Sequence, residues 1–220
     1  MQKFISAVLL CWFSAVHAAE EAKVEETKNL FTHPIYFGGV GGWGSTTWQG
    51  LVPNVENQNS AIIISTPVVV DEGGAVWGLS LGYEFTPFFA LEANYMAFPD
   101  AKITFDEYSL YAFDQSTVIL NTQTQTASFS GKIMLMVPKT SVRFFSSVGI
   151  ASVFRQDQIN DTYRISPTFG FGANYLLTER VMLEIGANYT AGYGESEINP
   201  VLDFVPFLYS VFGKVALRFG

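Results

Sequence analysis

Seven ionisable residues lie among glycines, small polar residues and hydrocarbon side chains: Glu84, Glu92, Lys132, Arg143, Glu184, Lys214 and Arg218. Each falls on one step of an alternation whose other step is large and apolar. Glu84 does so in Leu79-Ser80-Leu81-Gly82-Tyr83-Glu84-Phe85, and Arg218 in Val215-Ala216-Leu217-Arg218-Phe219. Successive side chains of an extended strand point to opposite faces, so the charges share faces with Gly, Ser, Thr and Asn, away from the rings. Three acids and four bases brought together in a narrow space of low dielectric are expected to pair, because an isolated charge there is very costly. Acid/base work by two carboxylates such as Glu84 and Glu92 is the other chemistry open to this set. It requires a cleft for substrate, and a narrow interior filled by its own side chains offers none.

Other chemistry lacks the residues for it. The two histidines are His17, inside an apparent leader, and His33, ahead of the first strand pattern. Neither a Ser-His-acid triad nor a histidine zinc site can be assembled on the strands beyond them. Cys11 is the one cysteine and belongs to the same leader. The chain beyond the leader therefore has no disulfide, thiol nucleophile or thiolate metal site. Asp106 and Glu107 lack the ordered oxygen spacing of a calcium loop. The glycine-rich run Ile35 to Thr46, IYFGGVGGWGST, is followed by no P-loop lysine and reads as a curved strand where backbones approach closely. The catalytic, metal and cofactor expectations are all none. A formal charge of -8 and a pI of about 4.7, without a basic stripe, argue against nucleic acid as a partner.

The elements that must position the seven charges are strands. The template is Ala75 to Ala97. Trp77, Leu79, Leu81, Tyr83 and Phe85 share one face, and Phe89, Leu91, Ala93 and Tyr95 continue it after the turn Thr86-Pro87-Phe88. Gly, Ser and an occasional carboxylate or amide occupy the other face, the pattern of a strand with lipid outside and a polar lumen inside. The same alternation recurs in Ala127–Val137, in Ser141–Phe154, from Pro167 to Leu177, in Val181–Thr190 and in Pro206–Phe219; Ile35–Thr46 opens the series with its faces undecided. Short turns at residues 86–88, 138–140 and 178–180 alternate with longer connections at 48–74, 99–126, 155–163 and 191–205. Aromatics are 15% of the chain and charged residues only 15%, against about 25% charged in soluble domains. After the leader no apolar run reaches the length of a spanning helix, so a membrane-embedded form must be a closed sheet. The expected fold is all-β: an eight-stranded antiparallel up-and-down transmembrane β-barrel.

Around that barrel the chain divides into a signal peptide at 1–18, with Lys3 before an apolar run and Val16-His17-Ala18 at its end, an acidic periplasmic tether at 19–34, and the barrel at 35–220. A weak repeat supports the hairpin pattern: Tyr83-x-x-Thr86 with Glu92 recurs as Tyr175-x-x-Thr178 with Glu184. Each copy closes on Ala-Asn-Tyr, at Tyr95 and at Tyr189. Tyr83, Tyr95, Tyr175 and Tyr189 are expected in aromatic girdles at the two membrane interfaces. The alternative to weigh is a soluble eight-stranded carrier with its aromatic face turned inward.

The leader, the hairpins and the final strand LYSVFGKVALRF resemble the OmpA-like and opacity-protein group of small outer-membrane barrels over roughly Ile35 to Phe219. The resemblance implies an outer-membrane location among lipid and lipopolysaccharide. It also implies insertion by the barrel-assembly machinery, which reads a terminal strand ending in an aromatic; here that residue is Phe219, with Gly220 after it. It further implies a non-enzymatic structural or surface-interaction role, any host or cell-surface ligand meeting the connections 48–74 and 99–126. By analogy with the lumen salt bridges of OmpA-like barrels, the seven charges either fill the interior or exchange partners as a gate. OmpW-like barrels are similar in length and final strand and imply a different role, lateral passage of small hydrophobic molecules.

Overall fold

The structure, a computed structural model, describes residues 33–48, 67–105, 118–158, 161–193 and 205–220. The expected signal peptide at 1–18 and all of the expected tether but its last two residues lie outside them. Ten strands are present: β1 (Ile35–Thr46), β2 (Pro67–Asp71), β3 (Gly73–Thr86), β4 (Phe89–Ala97), β5 (Ala101–Phe105), β6 (Ile119–Met136), β7 (Val142–Asp157), β8 (Asp161–Leu176), β9 (Val181–Thr190) and β10 (Leu208–Phe219). β2 leads into β3 across Glu72, and β5 follows β4 across Phe98 to Asp100, so the ten segments make eight staves.

All pairings are antiparallel, in the order β6-β4-β3-β1-β10-β9-β8-β7, and a β6–β7 ladder closes the ring. A row of paired residues can be followed right round the wall: Tyr36, Gly82, Glu92, Ser130, Gly149, Thr168, Thr190, Leu208 and then Thr46. The row returns to β1 ten residues above its start. With strands about 4.8 Å apart and about 3.3 Å per residue, that slip tilts eight strands by about 40° and sets a backbone radius of roughly 8 Å. Such a bore is filled by side chains.

The period of two decides what fills it. Even-numbered residues of β3, β4, β6, β8, β9 and β10 and odd-numbered ones of β7 point inward, carrying every one of the seven charges. The first strand is settled as well: Tyr36 and Val40 point inward with Gly38, Gly42 and Gly44, while Ile35, Phe37 and Trp43 are exposed outside. Leu81 is 53% exposed and Lys132 2%. The inward-aromatic carrier is thereby overturned.

Three of the expected connections contain strand. β5 and the first eight residues of β6, Ile119 to Thr126, lie inside 99–126, and β2 lies inside 48–74. β7 and β8 also run on to Asp157 and back to Asp161, well into 155–163. In Asn121-Thr122-Gln123-Thr124-Gln125-Thr126 both faces are polar, so the apolar half of the alternation that marks a lipid-facing strand is missing.

Candidate functional site

Glu92 on β4, Lys132 on β6, Glu184 on β9 and Lys214 on β10 form a closed ring of alternating charge. Lys132 Nζ donates to Glu92 Oε2 at 2.8 Å and to Glu184 Oε1 at 3.0 Å. Lys214 Nζ reaches the same two oxygens, each at 2.7 Å. β4 neighbours β6 and β10 neighbours β9, so two of these bonds run along the wall. The other two cross the lumen and tie opposite walls together. Tyr36 Oη donates to Glu92 Oε2 at 2.7 Å and Asn94 Nδ2 to Glu92 Oε1 at 3.0 Å. The Tyr36 ring occupies the space where a side chain on Gly82 would begin, so only glycine at 82 lets the phenol reach. Lys132 Nζ also stands 4.3 Å from the centre of the Phe145 ring. Two carboxylates and two ammonium groups balance, and each carboxylate is hydrogen-bonded, which a buried ion pair needs to offset its desolvation.

A second cluster lies closer to the short-turn end. Glu84 on β3 accepts from Arg143 Nη2 on β7 at 2.7 Å and from Arg218 Nη2 on β10 at 2.6 Å. Arg143 Nε donates to Asn174 Oδ1 at 2.8 Å across the β7–β8 ladder. Here two guanidinium groups share one carboxylate. Tyr36, Met182 and Ala216 pack as a buried apolar cluster, with Leu176 beside them. Val40, Val76, Met96, Met134, Phe145 and Phe212 belong to a second, which extends past the ring on both sides.

The strands beyond the lipid-type alternation enclose another cluster. Trp48 is fully buried with Ala101, Ile103, Phe105 and Leu120. Its main-chain nitrogen donates to the Glu72 carboxylate, and the Arg155 guanidinium lies 4.9 Å from its ring centre. Arg155 Nε in turn donates to Asp157 Oδ2 at 2.5 Å.

All seven expected lumen charges therefore come together, in two groups. Sequence reasoning did not single out Tyr36, because five glycines in its strand hide the alternation, or Asn94 and Asn174 as partners of the charges. Trp48, Glu72, Arg155 and Asp157 fall in or beside the connections and carried no periodic signal. The four tyrosines face outward, Tyr83 and Tyr175 toward the short turns and Tyr95 and Tyr189 toward the opposite end. Trp77 meets Tyr95 edge-on at 5.9 Å, Trp43 lies 5.8 Å from Tyr209, and Tyr83 meets Phe85 at 4.7 Å. Phe219 is exposed on the outer wall and pairs with Ile35. Gly39, Gly41 and Gly44 have G-x-G-x-x-G spacing, but they lie within one strand, without the strand-to-helix turn that makes that spacing bind phosphate. Among the described residues no group of His, Cys, Asp and Glu is arranged to hold a metal.

A family model described as outer membrane protein beta-barrel domain matches residues 5–201. This chain belongs to that family. The match ends ahead of β10, which nevertheless pairs with both β9 and β1 to close the wall. No curated protein sequence matches. The fold is similar to the crystal structure of Neisserial surface protein A, at 12% identity and a TM-score of 0.52, over 84% of this chain and 97% of that one. It is also similar to outer membrane protein OprG from Pseudomonas aeruginosa, at 9% identity and a TM-score of 0.50, over 85% and 98%. The solution structure of E. coli outer membrane protein W covers 86% of this chain and 100% of its own, at 13% identity and a TM-score of 0.45. The protein is an outer-membrane β-barrel, and its wall sits in outer-membrane lipid. In bacterial barrels the short turns face the periplasm and the longer connections the exterior.

Proposed function

We propose that this outer-membrane barrel is a non-enzymatic surface protein whose extracellular end carries its recognition. The occupied lumen is the observation that supports this most. Buried Arg, Lys, Tyr and Met side chains from opposite walls occupy the bore and bond to one another, so that among the described residues the interior is taken up by its own side chains. Recognition is therefore assigned to the long connections at the exterior end. A host or cell-surface ligand is assigned to the expected contact regions 48–74 and 99–126, of which residues 49–66 and 106–117 lie outside the described residues. Deleting both should abolish binding of whole cells to surfaces or host matrix and leave the folded, heat-shifted band on a gel intact. Binding that survives the double deletion refutes the assignment.

The remaining expectations fit the same scheme. Residues 1–18 direct export, 19–34 form the periplasmic tether, and Phe219 is the residue presented to the barrel-assembly machinery. Tyr83, Tyr95, Tyr175 and Tyr189 belong to the interfacial girdles, the outer pair next to lipopolysaccharide.

A second reading, a narrow gated pore, is favoured by one feature of the ring. Each lysine contacts both carboxylates, so either can shift toward one partner without losing the other. Lys132→Ala in planar bilayers would then raise the open probability of small conductance events; traces unchanged from the parent leave the ring a filler. Lateral passage of hydrophobic molecules has less support, because the ladders between Tyr36 and Thr46 close without a gap.

A further inference from the structure

At the periplasmic rim, where β9, β10 and the lead into β1 meet, a cavity of about 410 Å³ is lined by His33, Arg180, Leu217, Arg218, Phe219 and Gly220. Its two sides differ in chemistry. Leu217 and Phe219 are outward-facing residues of β10, half exposed on the wall that lipid covers. Arg180, in the exposed turn before β9, and His33 bring a guanidinium and an imidazole to the other side, and among the described residues no acidic side chain joins the lining. Arg218 ties this corner together: its guanidinium is turned into the lumen toward Glu84, and its main-chain nitrogen donates to the carbonyl of Arg180 at 2.8 Å. Nδ1 of His33 is shut off from solvent and has no hydrogen-bond partner among the described residues.

We infer that this cavity binds one phospholipid of the periplasmic leaflet, its phosphate between Arg180 and His33 and the start of an acyl chain along Leu217 and Phe219. Three facts converge. The cavity lies beside the lower aromatic band of Tyr83, Phe85 and Tyr175, and such bands mark the depth of lipid headgroups. Its volume falls in the range of sites that enclose small ligands, about 300–1,000 Å³. Guanidinium groups hold phosphate oxygens through charge-assisted bonds, and an anion also gives the buried imidazole nitrogen the partner it needs. An apolar wall beside a single exposed guanidinium selects a lipid over a free anion. The inference rests on membrane placement and is independent of the surface role proposed above.

Native mass spectrometry of the full chain, released from detergent after incubation with phosphatidylglycerol, tests it. The parent should keep one lipid adduct through detergent exchange. Arg180→Gln, in an exposed turn, should weaken retention by about tenfold, the loss of one charge-assisted contact, and Arg180→Gln with His33→Gln further still. Both variants should keep the parent's heat-shifted band, which separates loss of the site from loss of the fold. Retention that does not depend on Arg180, or an adduct that millimolar inorganic phosphate displaces while itself binding with the same dependence, overturns the lipid assignment.

Discussion

The wall of this barrel has two halves built on opposite plans. From the periplasmic turns up to Trp43 and Trp77, rings and branched chains face out while carboxylates, ammonium and guanidinium groups face in. Beyond that level β5 and the start of β6 reverse the arrangement. Lys102, Asn121 and Gln123 face out, and Ile103, Phe105 and Leu120 pack inward around Trp48. The backbone ladder is continuous through the change, since β6 runs unbroken from Ile119 to Met136. Solvent therefore decides which set faces out, while the strand supplies only the alternation. The lower half is stabilised by charges satisfying one another around a filled axis, the upper half by ordinary burial of apolar surface from water.

That contrast can be broken most directly at Glu84. Its removal in Glu84→Ala leaves Arg143 and Arg218 buried without the carboxylate they share, and a loss of about 3–5 kcal/mol is expected. Urea titration of the folded band in lipid vesicles measures it. A loss below about 1 kcal/mol would mean that water has already replaced the pairing. Trp48→Ala should cost about 3 kcal/mol, the usual penalty for emptying a large aromatic site, but in the upper half alone. Hydrogen exchange should then quicken in β2, β5 and the first residues of β6, with β1 and β10 unchanged; equal loss throughout would show the halves to be one cooperative unit. Tyr36→Phe removes a single donor to a buried carboxylate and should cost about 1.5–3 kcal/mol. Gly82→Ala should reproduce part of that loss, by moving the phenol away. The smallest effect belongs to the lipid-facing rim, where Tyr95→Phe gives up an exposed hydrogen bond to Gln125 and should change stability by no more than about 0.5 kcal/mol.

The two halves also differ in how far the sequence disclosed them. In the lower half, alternation of Leu79, Leu81, Tyr83 and Phe85 with Ser80, Gly82 and Glu84 placed side chains on the correct faces, and short turns gave the even number of staves. β1 stayed undecided because Gly38, Gly39, Gly41, Gly42 and Gly44 carry no side chain to alternate. In the upper half a run of Thr between Asn and Gln offered no contrast of hydropathy, so strand was taken for connection. Trp48 looked like a loop residue. Its packing partners, Ile103, Phe105 and Leu120, come from strands more than fifty positions away.

By itself the sequence determined that the chain is all-β, that it closes with lipid outside, and which seven charges share the interior. Each of these comes from a local property, the two-residue period of an extended backbone read against one solvent. Only the tertiary structure decided the pairing. Glu92 and Lys214, 122 positions apart, meet because closure of eight staves with a slip of ten residues brings them to one level. Register around a closed wall is a property of the whole ring, and no stretch of sequence contains it.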